Sequence, residues 1–312
     1  MNKPFNAGAV AGSDAKAMQK LVRTWLATPV LRKLVEDFGG TWPTDRKLAV
    51  RLSRLEKFSE VWDFRGGRER FDAKGVSFND DRLRLIAQSA HDLGLLLAAK
   101  PAFDHYDYAV VLGGTATSCL LRARLVCDLQ RDGLRFGRII FLGSERPISA
   151  AEREMADTYA LPGAETEYDL LMAAAEAEFG VRIEEGDPEF GDSGELAWRF
   201  DGYYITVINV PAGDSSRRTN TADQYKFLAE HYPLEKDKTI LLATSQIYYP
   251  FHLFGALADL ALPTGAAVEV TGYPVEWAEG RSALRAPQNV LQEIRSALRA
   301  AQLLVERLEA RQ

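Results

Sequence analysis

The chain has 312 residues, of which 46% are hydrophobic and 26% are charged, which is the balance of an ordinary globular protein. A net charge of −6 argues against a broad electrostatic attraction to nucleic acid or anionic membranes, so neither is predicted as a partner. The sequence shows no secretory signal and no apolar stretch of the roughly 20 residues that span a bilayer. It therefore predicts a cytoplasmic protein.

Cysteine and histidine patterns give no sign of a metal site. The two cysteines, Cys119 and Cys127, fit neither a disulfide framework nor a zinc motif, and they are expected to be small buried residues. The four histidines lack the spacing of metal ligands. The sequence predicts no metal.

Residues 1–100 are predicted to form a helical N-terminal region. Apolar residues recur every three to four positions in successive stretches, which is the period of an amphipathic helix. The clearest of these patterns contain Met18, Leu21, Val22 and Trp25, then Leu48, Leu52 and Leu55, then Leu83, Ile86 and Ala90.

A loop rich in aromatic residues and arginine interrupts this region at residues 61–70. Trp62 offers a ring for stacking, Arg65 and Arg68 offer charge for an anion, and a glycine pair permits a close turn. This composition predicts a lid over a ligand crevice. The alternative is an aromatic anchor with a salt-bridged turn, because aromatic side chains commonly serve only for packing.

Residues 101–312 are predicted to form a Rossmann-like α/β domain, in which helices flank a parallel sheet. Short apolar strands alternate with helical stretches, and this alternation favours right-handed parallel crossovers. Predicted strands cover residues 108–112, 138–142, 239–243 and 267–270, and predicted helices cover residues 118–130, 166–179, 251–261 and 288–308.

One antiparallel hairpin is predicted to be inserted in this alternation. Residues 195–200 and 203–209 have the composition of strands, and Asp201-Gly202 lies between them. An Asp-Gly pair favours a tight hairpin turn because both positions tolerate positive φ.

The junction between the first strand and its helix predicts a ligand site. The apolar run ends at Gly113 and Gly114, and Thr115 and Ser118 open the helix. In a parallel sheet, backbone N–H groups and the helix dipole meet an anionic ligand at such a junction. The pattern lacks a complete GxGxxG fingerprint and a Walker lysine, which argues against a conventional NAD site or P-loop. A tight turn without a ligand is the alternative.

Two later polar clusters also follow predicted strands and are expected to face the same crevice. The first contains hydroxyl groups that suit helix capping and an arginine that suits an anion, although a solvated capping loop would also have this composition. It consists of Asp214, Ser216, Arg217 and Thr219. The second consists of Thr244, Ser245 and Tyr248, where the tyrosine is equally suited to packing.

The order and spacing of these elements resemble the YdcF/SanA/ElyC family over residues 107–261. The resemblance rests on the glycine pair, the polar motif at 214–219, the Thr244-Ser245 pair and Glu167 at the start of a helix, with Glu165 as the alternative at that position. It implies a Rossmann-like domain that binds S-adenosylmethionine, with Glu167 in proton transfer or ribose binding. Tyr248 and Phe251 stand where many members have His and Arg, which puts any activity that needs those groups in doubt.

Three hypotheses about function follow. The preferred one is a nucleotide-type small-molecule binding protein, with S-adenosylmethionine as the first candidate ligand and catalysis left open. The second is a hydrolase or phosphoryl-type transferase in which Ser216, Arg217 and Thr219 hold an anionic substrate. The third is a noncatalytic scaffold or regulator whose terminal helices bind a partner.

Overall fold

The computed structural model describes residues 3–64, 76–159, 161, 163–180, 189–191, 195–200, 203–213, 217–278 and 286–311. The helices in these residues are α1 (Ala15–Leu26), α2 (Pro29–Asp37), α3 (Leu48–Phe58), α4 (Asp80–Asp92), α5 (Ala116–Arg131), α6 (Ala150–Thr158), α7 (Glu167–Phe179), α8 (Thr221–His231), α9 (Tyr249–Ala256), α10 (Leu262–Thr264) and α11 (Pro287–Glu309). A π-helical segment, Leu257–Ala261, joins α9 to α10.

The strands in the described residues form one mixed sheet. They are β1 (Val10–Ala11), β2 (His105–Leu112), β3 (Arg135–Gly143), β4 (Glu189–Gly191), β5 (Glu195–Phe200), β6 (Tyr203–Asn209), β7 (Thr239–Ser245) and β8 (Ala267–Tyr273). Their spatial order is β1-β8-β7-β2-β3-β6-β5-β4.

The centre of the described sheet is parallel and has the Rossmann strand order. β8, β7, β2, β3 and β6 are parallel neighbours, whereas β1, β5 and β4 are antiparallel to the strands beside them. Numbered as they occur in the chain, the parallel strands have the spatial order 5-4-1-2-3, which is the 3-2-1-4-5 order of the Rossmann fold read from the other edge. The prediction of a Rossmann-like parallel sheet is confirmed.

The predicted hairpin is also confirmed. β5 and β6 are antiparallel, and Phe200 pairs with Tyr203. The residues predicted to form its turn, Asp201 and Gly202, lie outside the described residues. β6 also pairs in parallel with β3, so the hairpin extends the sheet outward from its parallel centre.

Burial on both faces explains why the central strands are continuously apolar. Residues Ala109, Val110, Val111 and Leu112 of β2 are all buried, because helices cover the sheet above and below. The β2–α5–β3 and β7–α9–β8 crossovers run in opposite directions along the sheet. Since such crossovers are right-handed, α5 and α9 lie on opposite faces.

The helices of the N-terminal region pack against the helices of the sheet region. Trp25 of α1 makes an edge-on contact with Phe254 of α9 at a centroid distance of 5.4 Å, and its indole N–H donates to the Leu93 carbonyl at 3.3 Å. Helix α11 packs against both α3 and α9. The predicted helical character of this region is confirmed, except that β1, too short to show an alternating pattern, joins β8 at the sheet edge.

In the described part of the chain, no helix is both long enough and apolar enough to cross a membrane.

Replacing Trp25 with alanine tests whether the N-terminal helices and the sheet unfold together. The indole is fully buried, so we expect a loss of about 3–5 kcal/mol in the free energy of unfolding, within one cooperative transition in urea. Trp277→Ala is the matched control, because that side chain is 38% exposed, and its cost should be on the order of 1 kcal/mol. A separate early transition in Trp25→Ala would show instead that the N-terminal helices unfold independently.

Candidate functional site

A cleft of about 740 Å³ opens at the carboxyl ends of the parallel strands. Gly113 and Gly114 follow β2, Arg146 follows β3 and Tyr248 follows β7, and all of them line it. The connection from β2 leads towards β3 and that from β7 leads the opposite way, towards β8. This is the topological switch point, where open α/β sheets bind their ligands.

Side chains packed against the glycine pair leave too little room for a Cβ atom at either position. A Cβ atom on Gly113 would lie 2.6 Å from the carboxyl carbon of Glu167, and one on Gly114 would lie 2.9 Å from Cβ of Ser118 and 3.2 Å from the Arg122 guanidinium. Separations under about 3 Å cannot be accommodated without movement. The glycines therefore allow Glu167 and Arg122 to approach the end of β2.

Arg122 is a buried cation that joins the ends of two strands. It donates to the carbonyl oxygens of Leu112, at 2.8 Å, and Gly113 after β2, and to the Ser245 hydroxyl of β7 at 3.2 Å. Its pKa is lowered by burial, because removal from water disfavours the charged form. These hydrogen bonds fix the floor of the cleft.

Glu167 is a buried carboxylate in the wall of the cleft. Burial raises its pKa, although Arg146, the Ser144 hydroxyl and Arg122 act in the opposite direction. The Ser144 hydroxyl donates to one carboxylate oxygen at 2.7 Å, and the Arg146 guanidinium lies 3.7 Å from the other. A carboxyl group with a raised pKa can act as an acid or a base near neutral pH.

Arg146 connects this carboxylate to the start of α6. It donates to Glu152 at 2.9 Å and to the Gly114 carbonyl at 3.0 Å. Although burial would raise the pKa of Glu152, hydrogen bonds from Arg146 and from the Ser149 backbone lower it. Arg146 is therefore held between two carboxylates at the mouth of the glycine turn.

The N-termini of α5, α6 and α8 border the cleft. Thr115 caps α5 and Ser149 caps α6, and both line the cleft together with Thr221, the first residue of α8. Each helix start carries a partial positive charge and N–H groups without intrahelical partners. With Arg146 and Arg218 in the same lining, the cleft suits an anion.

The lining of the cleft also contains aromatic residues at the start of α9 and polar residues of α11. Tyr248, Phe251 and His252 line it together with Glu293 and Ser296. The sequence analysis did not include His252 among the site residues. The usable signal was its four-residue spacing from Tyr248, which puts both on one helical face.

The structure brings together part of the predicted site. The predicted residues that line the cleft are Gly113, Gly114, Thr115, Ser118, Glu167 and Tyr248. Thr244 and Ser245 are fully buried in β7, and Ser245 reaches the cleft only through Arg122. Thr219 donates to the Val210 carbonyl, and Arg217 pairs with Asp223 at 2.6 Å. Asp214 and Ser216 lie outside the described residues.

The prediction that Trp62 belongs to a lid needs correction. Its side chain is fully buried and makes edge-on contacts with Phe38, at a centroid distance of 5.9 Å, and Phe58, at 5.5 Å. A ring enclosed in this way has no face free for a ligand, so Trp62 is an aromatic anchor of the N-terminal helices. Arg65 and Arg68 lie outside the described residues.

Among the described residues, no group of three or more His, Cys, Asp or Glu side chains is arranged to hold a metal ion.

The strand order defines a Rossmann-like α/β protein, and its polar cleft lies at the carboxyl ends of the parallel strands. A family model described as the Rv3785 N-terminal domain matches residues 9–94. Uncharacterized protein Rv3785 of Mycobacterium tuberculosis and uncharacterized protein Mb3814 of Mycobacterium bovis are each 34% identical to the chain, over 94% of its length and 91% of theirs. The chain belongs to the Rv3785 family. No solved structure matches it.

The expected membership of the YdcF/SanA/ElyC family is therefore wrong. The matching family model and the relatives, aligned over nearly the whole chain, place it in the Rv3785 family instead. The features that suggested YdcF were a glycine turn after a strand, hydroxyl residues at a helix start and an acidic residue opening a helix. Parallel α/β sheets generally require such features, so they do not distinguish one family from another.

Gly113→Ala tests the contact between the glycine turn and Glu167. We expect it to lower the free energy of unfolding by about 1–3 kcal/mol, because the new methyl group overlaps the carboxylate. In a Glu167→Ala background the cost should fall by about 1 kcal/mol or more, which a double-mutant cycle in urea would measure. Gly255→Ala, whose Cβ would meet only an ordinary contact at 3.6 Å, is the control. Additive effects of the two substitutions would contradict the proposed overlap.

Glu167→Gln tests the raised pKa of this carboxyl group. A raised folded-state pKa gives stability that is complete below the unfolded pKa, near 4.5, and is lost as pH rises through the folded-state value. The glutamine variant lacks this loss, so its stability relative to the parent should increase between pH 4 and pH 8 in thermal unfolding.

Glu152→Gln is the matched comparison, since the pKa of Glu152 is lowered and its stabilising effect is lost as pH falls. The stability of this variant relative to the parent should decrease as pH rises from about 3 to 5. Parallel curves for the two variants would contradict the opposite pKa shifts.

Proposed function

We propose that this protein binds a small anionic ligand of the nucleotide type in the switch-point cleft. The observation that carries the proposal is the convergence of the α5, α6 and α8 N-termini on the glycine turn of a sheet with Rossmann order. Helix starts and guanidinium groups bind phosphate and carboxylate, and this strand order favours nucleotide-type ligands at this position.

The lining of the cleft contains groups that suit both parts of such a ligand. Arg146, Arg218 and the helix starts offer charge and N–H donors to an anionic group. Phe251, which is half-buried, and Tyr248 offer ring surfaces to a planar base. The volume of about 740 Å³ lies in the range of small-molecule sites.

S-adenosylmethionine stays among the candidate ligands on chemical grounds alone. Its adenine ring and its carboxylate each suit the cleft, whereas its sulfonium and ammonium groups make the whole molecule a cation. The family resemblance that first suggested it no longer supports it, so we give it no preference over a nucleoside phosphate.

A second candidate function is a hydrolase or phosphoryl-type transferase acting on an anionic substrate. The arrangement of Glu167 favours it, because a carboxyl group with a raised pKa lies beside Arg146 in the part of the cleft that suits an anion. In this hypothesis Glu167 exchanges a proton with the attacking or leaving oxygen while Arg146 offsets the charge on the substrate. Release of inorganic phosphate from ADP or p-nitrophenyl phosphate, abolished in Glu167→Gln, would support it.

Thermal unfolding with ADP, adenosine, inorganic phosphate and S-adenosylmethionine tests the binding function. We expect ADP to stabilise the protein by about 2.7 kcal/mol at a hundredfold excess over its Kd. Adenosine and phosphate separately should give smaller shifts. If none of the four probes changed the melting temperature, the proposed function would be overturned.

Variants of Arg146 test whether the binding takes place in the cleft. Arg146→Gln should weaken ADP binding by a factor of about ten or more in calorimetry, because a charge-assisted hydrogen bond is removed, and Arg146→Lys should retain part of it. Arg32→Gln is the matched control, since that arginine is 61% exposed and pairs with Glu36 one helical turn away. An equal effect of the two glutamine variants would contradict binding in the cleft.

A further inference from the structure

Two buried polar side chains meet behind the cleft. The Tyr225 hydroxyl of α8 lies 2.9 Å from the His252 Nδ1 atom of α9, and both side chains are almost completely buried. His252 lines the cleft, whereas Tyr225 does not. The pair therefore connects the interior of the helical layer, where Tyr225 lies, to the cleft that His252 lines.

The hydrogen of this bond belongs to the tyrosine. Burial raises the pKa of Tyr225, so the phenol keeps its proton across the physiological range. In the part of the chain that the structure describes, the Tyr225 hydroxyl has no hydrogen-bond partner other than His252. If Nδ1 carried a proton, the phenolic hydrogen would be left buried without an acceptor, which is unfavourable.

The surroundings also keep the imidazole neutral. Burial lowers the pKa of His252 well below its usual value, and the positive charge of Arg122 acts in the same direction. A neutral imidazole that accepts at Nδ1 carries its proton on Nε2.

We propose that Tyr225 fixes His252 as the neutral tautomer protonated at Nε2, so that His252 donates a hydrogen bond from Nε2 to an acceptor atom of the ligand in the cleft. His252 is then a binding residue, and Tyr225 is a positioning residue that acts through it. The inference rests on the proposed function, because it adds a donor to the same cleft. A donor at Nε2 selects ligands that present an oxygen or an unprotonated ring nitrogen towards α9. Because the imidazole stays neutral, proton exchange in the cleft is left to Glu167.

Nitrogen-15 spectroscopy of the histidine rings tests the tautomer without any ligand. The chain has four histidines, so His252→Gln identifies the signals of this ring by their loss. We expect an unprotonated Nδ1 and a protonated Nε2 from pH 8 down to pH 5.5. Tyr225→Phe should remove this preference, whereas Tyr232→Phe at the end of α8 should leave it unchanged. A protonated Nδ1 in the parent, or an unchanged tautomer in Tyr225→Phe, would overturn the proposal.

Binding of ADP tests the contact with the ligand. His252→Leu should weaken ADP binding by roughly fivefold to tenfold, the range of a neutral hydrogen bond, and His252→Gln should restore part of it because its amide can donate from a similar position. His231→Gln, at an exposed histidine of α8, is the matched control. Tyr225→Phe should weaken binding less than His252→Leu.

The outcomes separate the two proposals. If none of ADP, adenosine, inorganic phosphate and S-adenosylmethionine binds to the parent protein, the proposed function and the ligand contact of His252 are both overturned, while the tautomer is still decided by the spectra. If ADP binds equally well to His252→Leu and to the parent, the ligand contact is overturned and the proposed function stands.

Discussion

The structure around the cleft depends on the buried guanidinium group of Arg122. A charge removed from water needs hydrogen-bond partners, and the two terminal nitrogens of Arg122 find them in carbonyl oxygens at the end of β2 and the Ser245 hydroxyl at the end of β7, whereas its Nε has none among the described residues. These are the two strands between which the sheet changes its direction of winding. The constraint therefore holds together the two strand ends that form the cleft, and the glycine turn and Glu167 pack around it.

The elements of the fold could be predicted because their signals are local. The apolar runs of β2, β3, β7 and β8, the Asp-Gly pair of the hairpin and the helical periodicity each depend on a few neighbouring residues. The strand order could not be read in the same way, since it depends on packing between distant elements. β1 shows the limit of prediction from local sequence. Two residues are too few to show an alternating pattern, and their strand conformation depends on pairing with β8.

The candidate site was predictable where one strand-to-helix junction contains it. Gly113, Gly114, Thr115 and Ser118 follow each other in the chain, so their meeting needs no tertiary information. Arg146 and His252 come from loops and helices far away in sequence, and only the assembled sheet places them beside this turn. The prediction of Trp62 as a lid residue failed because an aromatic side chain suits a ligand contact and a hydrophobic core equally well. The complete burial of Trp62 in the structure shows that it belongs to the core.

Helix α11 belongs to two environments at once. Its residues Glu293 and Ser296 line the cleft, while the same helix packs against α3 of the N-terminal region. A recombinant fragment restricted to residues 9–94, the part matched by the family model, would leave the side of α3 that faces α11 in water. Exposed apolar surface of this kind promotes aggregation, so fragments prepared for crystallisation or screening should retain the final helix even when only the N-terminal helices are of interest.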